Sequence, residues 1–206
     1  MGLDRFEAAG LRWLAEAPAA DAVRREIAAH LDALAEVEGA ELIKRNLVRA
    51  VYRVPLASGQ RVIVKRYAVR GVRDPVKYLF KPSRARAEWE VGRGLHEVGI
   101  PTAVPLAMAE RHAGGLLRDA ALVTREIPDT LHLNAYVEEY LAGTEEAELR
   151  AALYDRLARL IRRMHGAGFV HNDLHGGNVL VNGPPEAAQP HIIDLHSVTR
   201  SAAPSA

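Results

Sequence analysis

The segment His171-Asn-Asp-Leu-His-Gly-Gly-Asn178 places an aspartate and, five residues on, an asparagine in one short stretch. That pairing suits phosphoryl transfer. The Asp173 carboxylate can accept or orient a hydroxyl proton, and the Asn178 side-chain carbonyl can help to hold Mg²⁺. A metal that bridges phosphates needs a second carboxylate, and Asp194 supplies it, sixteen residues after Asn178 behind the apolar Ile192 and Ile193. A Gly-Pro-Pro turn between them fits a hairpin that brings the second acid back beside the first. The reaction also needs a cation for the nucleotide phosphates. Lys65 ends the apolar run Val62-Ile-Val-Lys, and Glu88 lies on the next expected helix, where an ion pair would hold the lysine in place.

Each residue also has a plain structural reading. A lysine ending a strand is ordinarily a surface lysine, Glu88 competes with Glu90, and Ile-Ile-Asp is a common strand-to-turn sequence. The order carries the argument: strand Lys, helix Glu, D-x4-N, strand Asp. A rival reading takes His171, Asp173, His175 and either His191 or His196 as ligands of zinc or iron, since H-x-D-x-H on a loop permits it. It leaves Gly-Gly-Asn178 without a task. In the phosphotransfer reading His171 and His175 instead hold the catalytic loop by hydrogen bonds.

Hydrophobic periodicity supplies the elements that must position these groups. Val23, Ile27, Leu31 and Leu34 recur at helical spacing between Asp21, placed to cap the start, and Glu36. The Ala-rich segment before them, with Phe6, Trp13 and Leu14, is also read as helical, so residues 1–38 are expected to form a helical extension. Residues 42–54 and 61–65 read as two strands around the turn Leu56-Ala-Ser-Gly-Gln60. A helix is expected from Arg84 to Val98, closed by Gly99 and Pro101. Ala120–Thr124 reads as a short buried strand, and Leu149, Leu153, Leu157, Leu160, Ile161 and Met164 mark the strongest helix. The remainder reads as loop, strand, turn, strand, with a disordered tail from Ser201.

Composition narrows the partners. The 206 residues carry 27 Lys and Arg against 26 Asp and Glu, so the global balance gives no reason to expect nucleic acid. There is no cysteine, which excludes disulfides and thiolate chemistry. No run reads as a signal peptide or a membrane span, so a cytoplasmic protein is expected. Charge is uneven, however. Between Lys65 and Arg86 eight Lys or Arg face a single acid, Asp74. With Tyr67, Tyr78 and Phe80 interleaved, this reads either as a solvated loop or as a cationic platform for an anionic glycolipid or phospholipid surface, with peripheral contact at the inner face of the inner membrane.

The wording of these segments resembles the lipopolysaccharide kinase (Kdo/heptose kinase) family of the protein-kinase-like superfamily. The likeness rests on the H-x-D-L-H-x-x-N loop, on Lys65–Trp89, on Gly99–Ala107 and on Ile192–His196, and covers roughly residues 39–196. It implies an α+β fold of two lobes, a β-rich N-lobe with hinge over residues 39–127 and a helical C-lobe over residues 128–206, with ATP between them. It further implies that Lys65 contacts the ATP phosphates and pairs with Glu88, and that Asp173 is the catalytic aspartate. Asn178 and Asp194 would ligate Mg²⁺, and Arg125-Glu126-Ile127 would be the hinge that meets adenine through its backbone. The implied acceptor is a sugar hydroxyl of the lipopolysaccharide inner core, Kdo or heptose. Aminoglycosides, proteins and an inactive pseudokinase are the alternatives. No G-x-G-x-x-G lies in residues 42–54, so the phosphate-covering loop must be another turn, around Lys44-Arg-Asn46. The short stretch after Asp194 leads to the expectation of a truncated, loose C-lobe that exposes apolar surface around Leu149–Met164, Val181 and Ile193 and tends to self-associate.

Overall fold

The computed structural model describes residues 2–69 and 78–201. The chain forms two compact units, one of Met1–Glu90 with Val104–Glu126, the other of Val91–Ala103 with Ile127–Ala206.

The first unit is built on an antiparallel sheet of seven strands: β1 (Leu3–Ala8), β2 (Leu11–Glu16), β3 (Glu41–Arg45), β4 (Arg49–Pro55), β5 (Arg61–Ala68), β6 (Pro105–Ala113) and β7 (Leu116–Arg125). Their order across the sheet is β1-β2-β6-β7-β5-β4-β3. Strand alternation sorts the side chains onto two faces. Leu11, Trp13, Ala15, Tyr52, Val54, Val62, Val64, Ala107, Ala109, Ala121 and Val123 pack on one face against Val23, Ile27, Leu31 and Leu34. On the other face Tyr67, Met108, Ala120 and Leu122 pack against Ala85 and Trp89, which lie at the start of helix α2 (Arg84–Glu97).

Two expectations for the N-terminus are corrected here. Residues 3–16 are a hairpin, not a helix, and β2 pairs with β6, so the segment is part of the sheet rather than an extension to it. Ala9 and Gly10 both take positive φ, 49° and 71°, the conformation of a tight two-residue hairpin turn. Across the hairpin Phe6 stacks on Trp13 with centroids 5.8 Å apart. The period-two burial of Leu11, Trp13 and Ala15 prevailed over the helix propensity of the alanines. The helical segment starts at Ala17, four residues before Asp21, as α1 (Ala17–Ala22), and continues through a π-turn at Val23–Ile27 and a 3₁₀ stretch at Ala28–Glu36. β7 is also longer than the predicted Ala120–Thr124, and β6 has no counterpart in the sequence reading.

Among the carboxylates of this unit that arginines hold are Glu110, Asp119 and Glu126. Glu110 takes two hydrogen bonds from Arg86, at 3.2 and 2.6 Å. Asp119 is shared by Arg66 at 2.9 Å and Arg111 at 2.7 Å, and Glu126 by Arg53 at 2.6 Å and Arg61 at 2.5 Å. Burial pushes the Glu110 carboxyl up, but the Arg86 and Ser83 hydrogen bonds and the Arg86 charge outweigh it and hold the group below its ordinary value of 4.5.

The second unit joins a sheet of β8 (Leu131–His132), β10 (Val179–Asn182) and β11 (Gln189–Ile192) to the pair β9 (Phe169–His171) and β12 (Val198–Arg200). Helices α3 (Leu133–Tyr140) and α4 (Ala147–Gly166) cover them. Of the apolar residues expected to lack cover, Leu153, Leu160, Met164 and Val181 are at most 4% exposed, packed among Leu133, Tyr136, Phe169, Ile192, Leu195 and Val198, whereas Leu149, Leu157, Ile161 and Ile193 keep partial exposure. Leu95 and Ile100 complete this core. Among the described residues no helix is long and apolar enough to cross a membrane.

Two outcomes are expected. Gly94→Ala would gain about 1 kcal/mol of helix propensity, yet the added Cβ would lie 2.9 Å from Cζ of Phe169, whose ring is buried. Overpacking of this kind costs about 1–3 kcal/mol, so the variant should show a lower urea midpoint despite its better helix former. For Glu110 the folded-state pKa is depressed, so its contribution is present above pH 4.5 and is lost as the pH falls through the folded value. Glu110→Gln should be less stable at neutral pH and should lose less stability on acidification below about pH 4.5 than the parent, measured by chemical denaturation across the pH range.

Candidate functional site

In the first unit, Lys65 sits within β5 rather than at its end, because the strand runs on to Ala68 between β4 and β7. Odd-numbered positions of β5 face α2, so Lys65 and Tyr67 both point at that helix. Lys65 Nζ donates to Glu88 Oε2 at 2.6 Å, and the Tyr67 hydroxyl donates to Oε1 at 2.5 Å. Glu88 is 4% exposed, whereas its competitor Glu90 is exposed. The structure therefore selects Glu88 as the partner. Tyr67 is a member of this cluster that sequence reasoning assigned elsewhere. The signal was its i, i+2 spacing from Lys65, which puts two side chains of one strand on one face.

The same contacts alter the reading of the basic segment. Lys65 is paired with Glu88, Arg66 with Asp119 and Asp32, and Arg86 with Glu110, while Tyr67 is buried. These three cations and the Tyr67 ring are therefore engaged within this unit. Arg70, Arg73, Asp74 and Lys77 lie outside the described residues. Phe80, at 86% exposure, is on the surface.

In the segment expected to be the hinge, Glu126 N–H donates to the Arg61 carbonyl at 3.0 Å, and the Ile127 carbonyl accepts from Thr130 Oγ1 at 3.3 Å. Those bonds do not use the Glu126 carbonyl or the Ile127 amide.

In the second unit the loop after β9 is held from within. His171 is 7% exposed; its Nε2 lies 3.1 Å from the Ile193 carbonyl, and its Nδ1 accepts the Asp173 N–H at 3.2 Å. These partners assign the tautomer with the proton on Nε2, and both ring nitrogens are occupied. That arrangement argues against His171 as a metal ligand. His175 turns its Nδ1 to the Gly177 N–H at 3.1 Å and so caps the short 3₁₀ turn Gly176–Asn178. Gly176 has a steric reason: a Cβ there would clash with Oδ1 of Asn134. His191 faces Asn182 Oδ1 at 3.0 Å, and burial lowers its pKa, which keeps the ring neutral within the hairpin.

Asn178 is 6% exposed, and its Nδ2 donates to the Asp173 carbonyl at 2.8 Å. That bond turns the other side-chain atom, Oδ1, into the one available for a cation. The Asn178 carbonyl accepts from Ile193 N–H at 3.0 Å, so the loop and the residue before Asp194 are joined directly. Asp194 is left-handed, with φ 61° and ψ 49°, a conformation that aspartate tolerates better than most residues. Its Oδ1 lies 3.1 Å from Nδ1 of His196. The Ile192 strand is pinned in turn by Thr102, whose hydroxyl donates to the Ile192 carbonyl at 2.6 Å, and by the Pro101 carbonyl, which accepts Ile192 N–H at 3.1 Å. Asp173 is exposed.

This geometry can be set beside known proteins. Residues 31–205 match the Lipopolysaccharide kinase (Kdo/WaaP) family. The chain belongs to that family. The lipopolysaccharide core heptose(I) kinase WaaP of Pseudomonas aeruginosa is 32% identical over 125 residues, which cover 58% of this chain and 47% of that protein. The 3-deoxy-D-manno-octulosonic acid kinase of Pasteurella multocida is 28% identical over 114 residues, 55% of this chain and 44% of that one. The chain thus spans about half the length of these curated relatives. A solved structure of WaaP in complex with acyl carrier protein aligns with a TM-score of 0.65 at 23% identity, covering 92% of this chain and 73% of that one. The fold is accordingly that of the protein-kinase-like family members, an α+β fold with a large antiparallel sheet.

The Tyr67–Glu88 bond makes a testable demand. Tyr67→Phe removes one donor from a buried carboxylate, which costs about 1–3 kcal/mol, whereas Glu90→Gln at the exposed alternative position should stay within about 0.5 kcal/mol. Equal stabilities of the two variants in chemical denaturation would remove the distinction.

Proposed function

We propose that this chain transfers the γ-phosphoryl group of ATP to a sugar hydroxyl of the lipopolysaccharide inner core, on Kdo or heptose, with Asp173, Asn178, Asp194, Lys65 and Glu88 as its working residues. The observation that carries the reading is the loop network of the second unit. The His171 ring orders Asp173, and the Asp173 carbonyl orients Asn178. The pairing of Asn178 with Ile193 then brings the Asp194 backbone alongside. Family membership supports the same reaction class.

In this mechanism Asp173 takes the proton of the acceptor hydroxyl as its oxygen forms a bond to the γ-phosphorus, and the bond to the β-phosphate oxygen breaks to leave ADP. Lys65, held by Glu88 and Tyr67, orients the phosphates. Adenine is met by the Glu126 carbonyl and the Ile127 amide. The donor set of the second unit, an amide oxygen and a carboxylate, is the hard oxygen chemistry that Mg²⁺ takes. When bound by Asn178 and Asp194, the ion would offset negative charge on the phosphates. Acting on a lipid-linked acceptor would bring the protein to the inner face of the inner membrane as a peripheral visitor.

Asp173→Ala should lower transfer by a factor of about 10² or more while leaving nucleotide affinity nearly unchanged, since general-base groups contribute about 10²–10⁴. Asp194→Ala should weaken Mg·ATP binding as well. Labelled ATP offered with a panel of lipopolysaccharide cores, aminoglycosides and generic proteins checks both the chemistry and the acceptor. Near-parental turnover by Asp173→Ala would discard the assignment, and transfer confined to an aminoglycoside or a protein would discard the acceptor.

A further inference from the structure

The turn between β3 and β4 lacks the means by which a glycine-rich loop covers phosphates, namely a row of open backbone amides. Asn46 Oδ1 accepts the N–H groups of Val48 at 3.0 Å and Arg49 at 2.8 Å, and Asn46 N–H donates to the Arg49 carbonyl at 2.8 Å. Those amides are therefore engaged within the turn. Phosphate charge at this end of the sheet must be met by side chains.

The strand register shows which one. Lys44 pairs with Val51, and Val51 pairs with Lys65, so the three stand in one row across β3, β4 and β5. Directly paired residues share a face. Lys44 therefore lies on the face that carries Lys65 and Glu88, two strands away, roughly 10 Å at the usual strand spacing. This placement depends on a bulge between Leu42 and Lys44. Leu42 opposes Tyr52, and without the extra residue Ile43 would oppose Val51 and Lys44 would turn to the other face. The bulge thus aims a cation where an apolar side chain would otherwise point. Lys44 is exposed and makes no ion pair among the described residues, in contrast to Lys65. Arg45, one residue on, opposes Ala50 on the opposite face, and its guanidinium donates to the Tyr52 hydroxyl at 2.5 Å.

We infer that Lys44 is a second phosphate-binding cation, which does with a side-chain ammonium what a glycine-rich loop does with backbone amides. The inference rests on the kinase reading above. The role is a binding one, directed at the β- and γ-phosphates rather than at the base or ribose.

The experiment is calorimetric titration of the full chain with ATP, ADP and AMP in the presence of Mg²⁺. Lys44→Ala should weaken ATP about tenfold, the scale of one hydrogen bond to a charged group, and leave AMP within about twofold. Lys44→Arg should restore most of the ATP affinity. Arg45→Ala, the neighbour on the opposite face, should bind all three nucleotides as the parent does. Equal losses for ATP and AMP, or equal losses in Lys44→Ala and Arg45→Ala, would overturn the inference while leaving the kinase reading intact. Failure of the parent chain to bind ATP at all would overturn both. An unchanged thermal midpoint of Lys44→Ala shows that any loss belongs to binding and not to unfolding.

Discussion

The first unit depends on keeping the Glu88 carboxylate in a place that water hardly reaches. Removing an ion from water costs several kcal/mol unless a partner and further hydrogen bonds meet it. At 4% exposure Glu88 has an ammonium on one oxygen and a phenol hydroxyl on the other. Much else follows from supplying those two donors. They must come from one strand at i and i+2, that strand must run through the sheet rather than along its edge, and α2 must lie across it with Trp89 and Ala85 sealing the sides. The position of Lys65 is therefore set by packing as much as by charge.

The rest of the unit repeats this solution at lower stakes. Asp119 and Glu126 are each shared by two arginines, and Glu110 is gripped by both nitrogens of one. A chain with nearly balanced charge thus commits many of its cations inward. Of the basic run from Lys65 to Arg86, Lys65, Arg66 and Arg86 turn out to be paired, because a one-dimensional charge count cannot see carboxylates that arrive from α2, β6, β7 and the N-terminal helical segment.

What could be read from the sequence followed the range of the signals. The α2 helix and the long α4 helix are local patterns with strong periodicity, and the structure places them as read; the strand of Lys65 is also present but runs on to Ala68. The failures are of another kind. Residues 3–16 carry good helix formers, yet become strands because β2 pairs with β6, about a hundred positions later, while Leu11 and Trp13 are buried in the cluster with Val23, Ile27, Leu31 and Leu34. Strand β6 went unread because Pro105 and the charged Glu110 and Arg111 interrupt its apolar run, although burial along it is nearly continuous. Tyr67 was visible but was assigned to a surface, since nothing nearby in sequence revealed that Glu88 needed a second donor. The loop histidines were read in their holding role, and only the coordinates supply the reason: a carbonyl on one ring nitrogen of His171 and an amide on the other, and the Gly177 amide on Nδ1 of His175.

The strand order has a consequence for how the chain is made. β1 and β2 on one side and β3, β4 and β5 on the other are joined only through β6 and β7, which leave the ribosome last among the seven. Until Arg125 emerges, the early strands are two separate ribbons, each with one inner edge unpaired, and two- or three-stranded pieces have little stability of their own. Closure of the sheet is thus a late, long-range event in synthesis, of the sort that folds slowly. The bare inner edges of β2 and β5 are the places where a holding chaperone would have most to do in that interval.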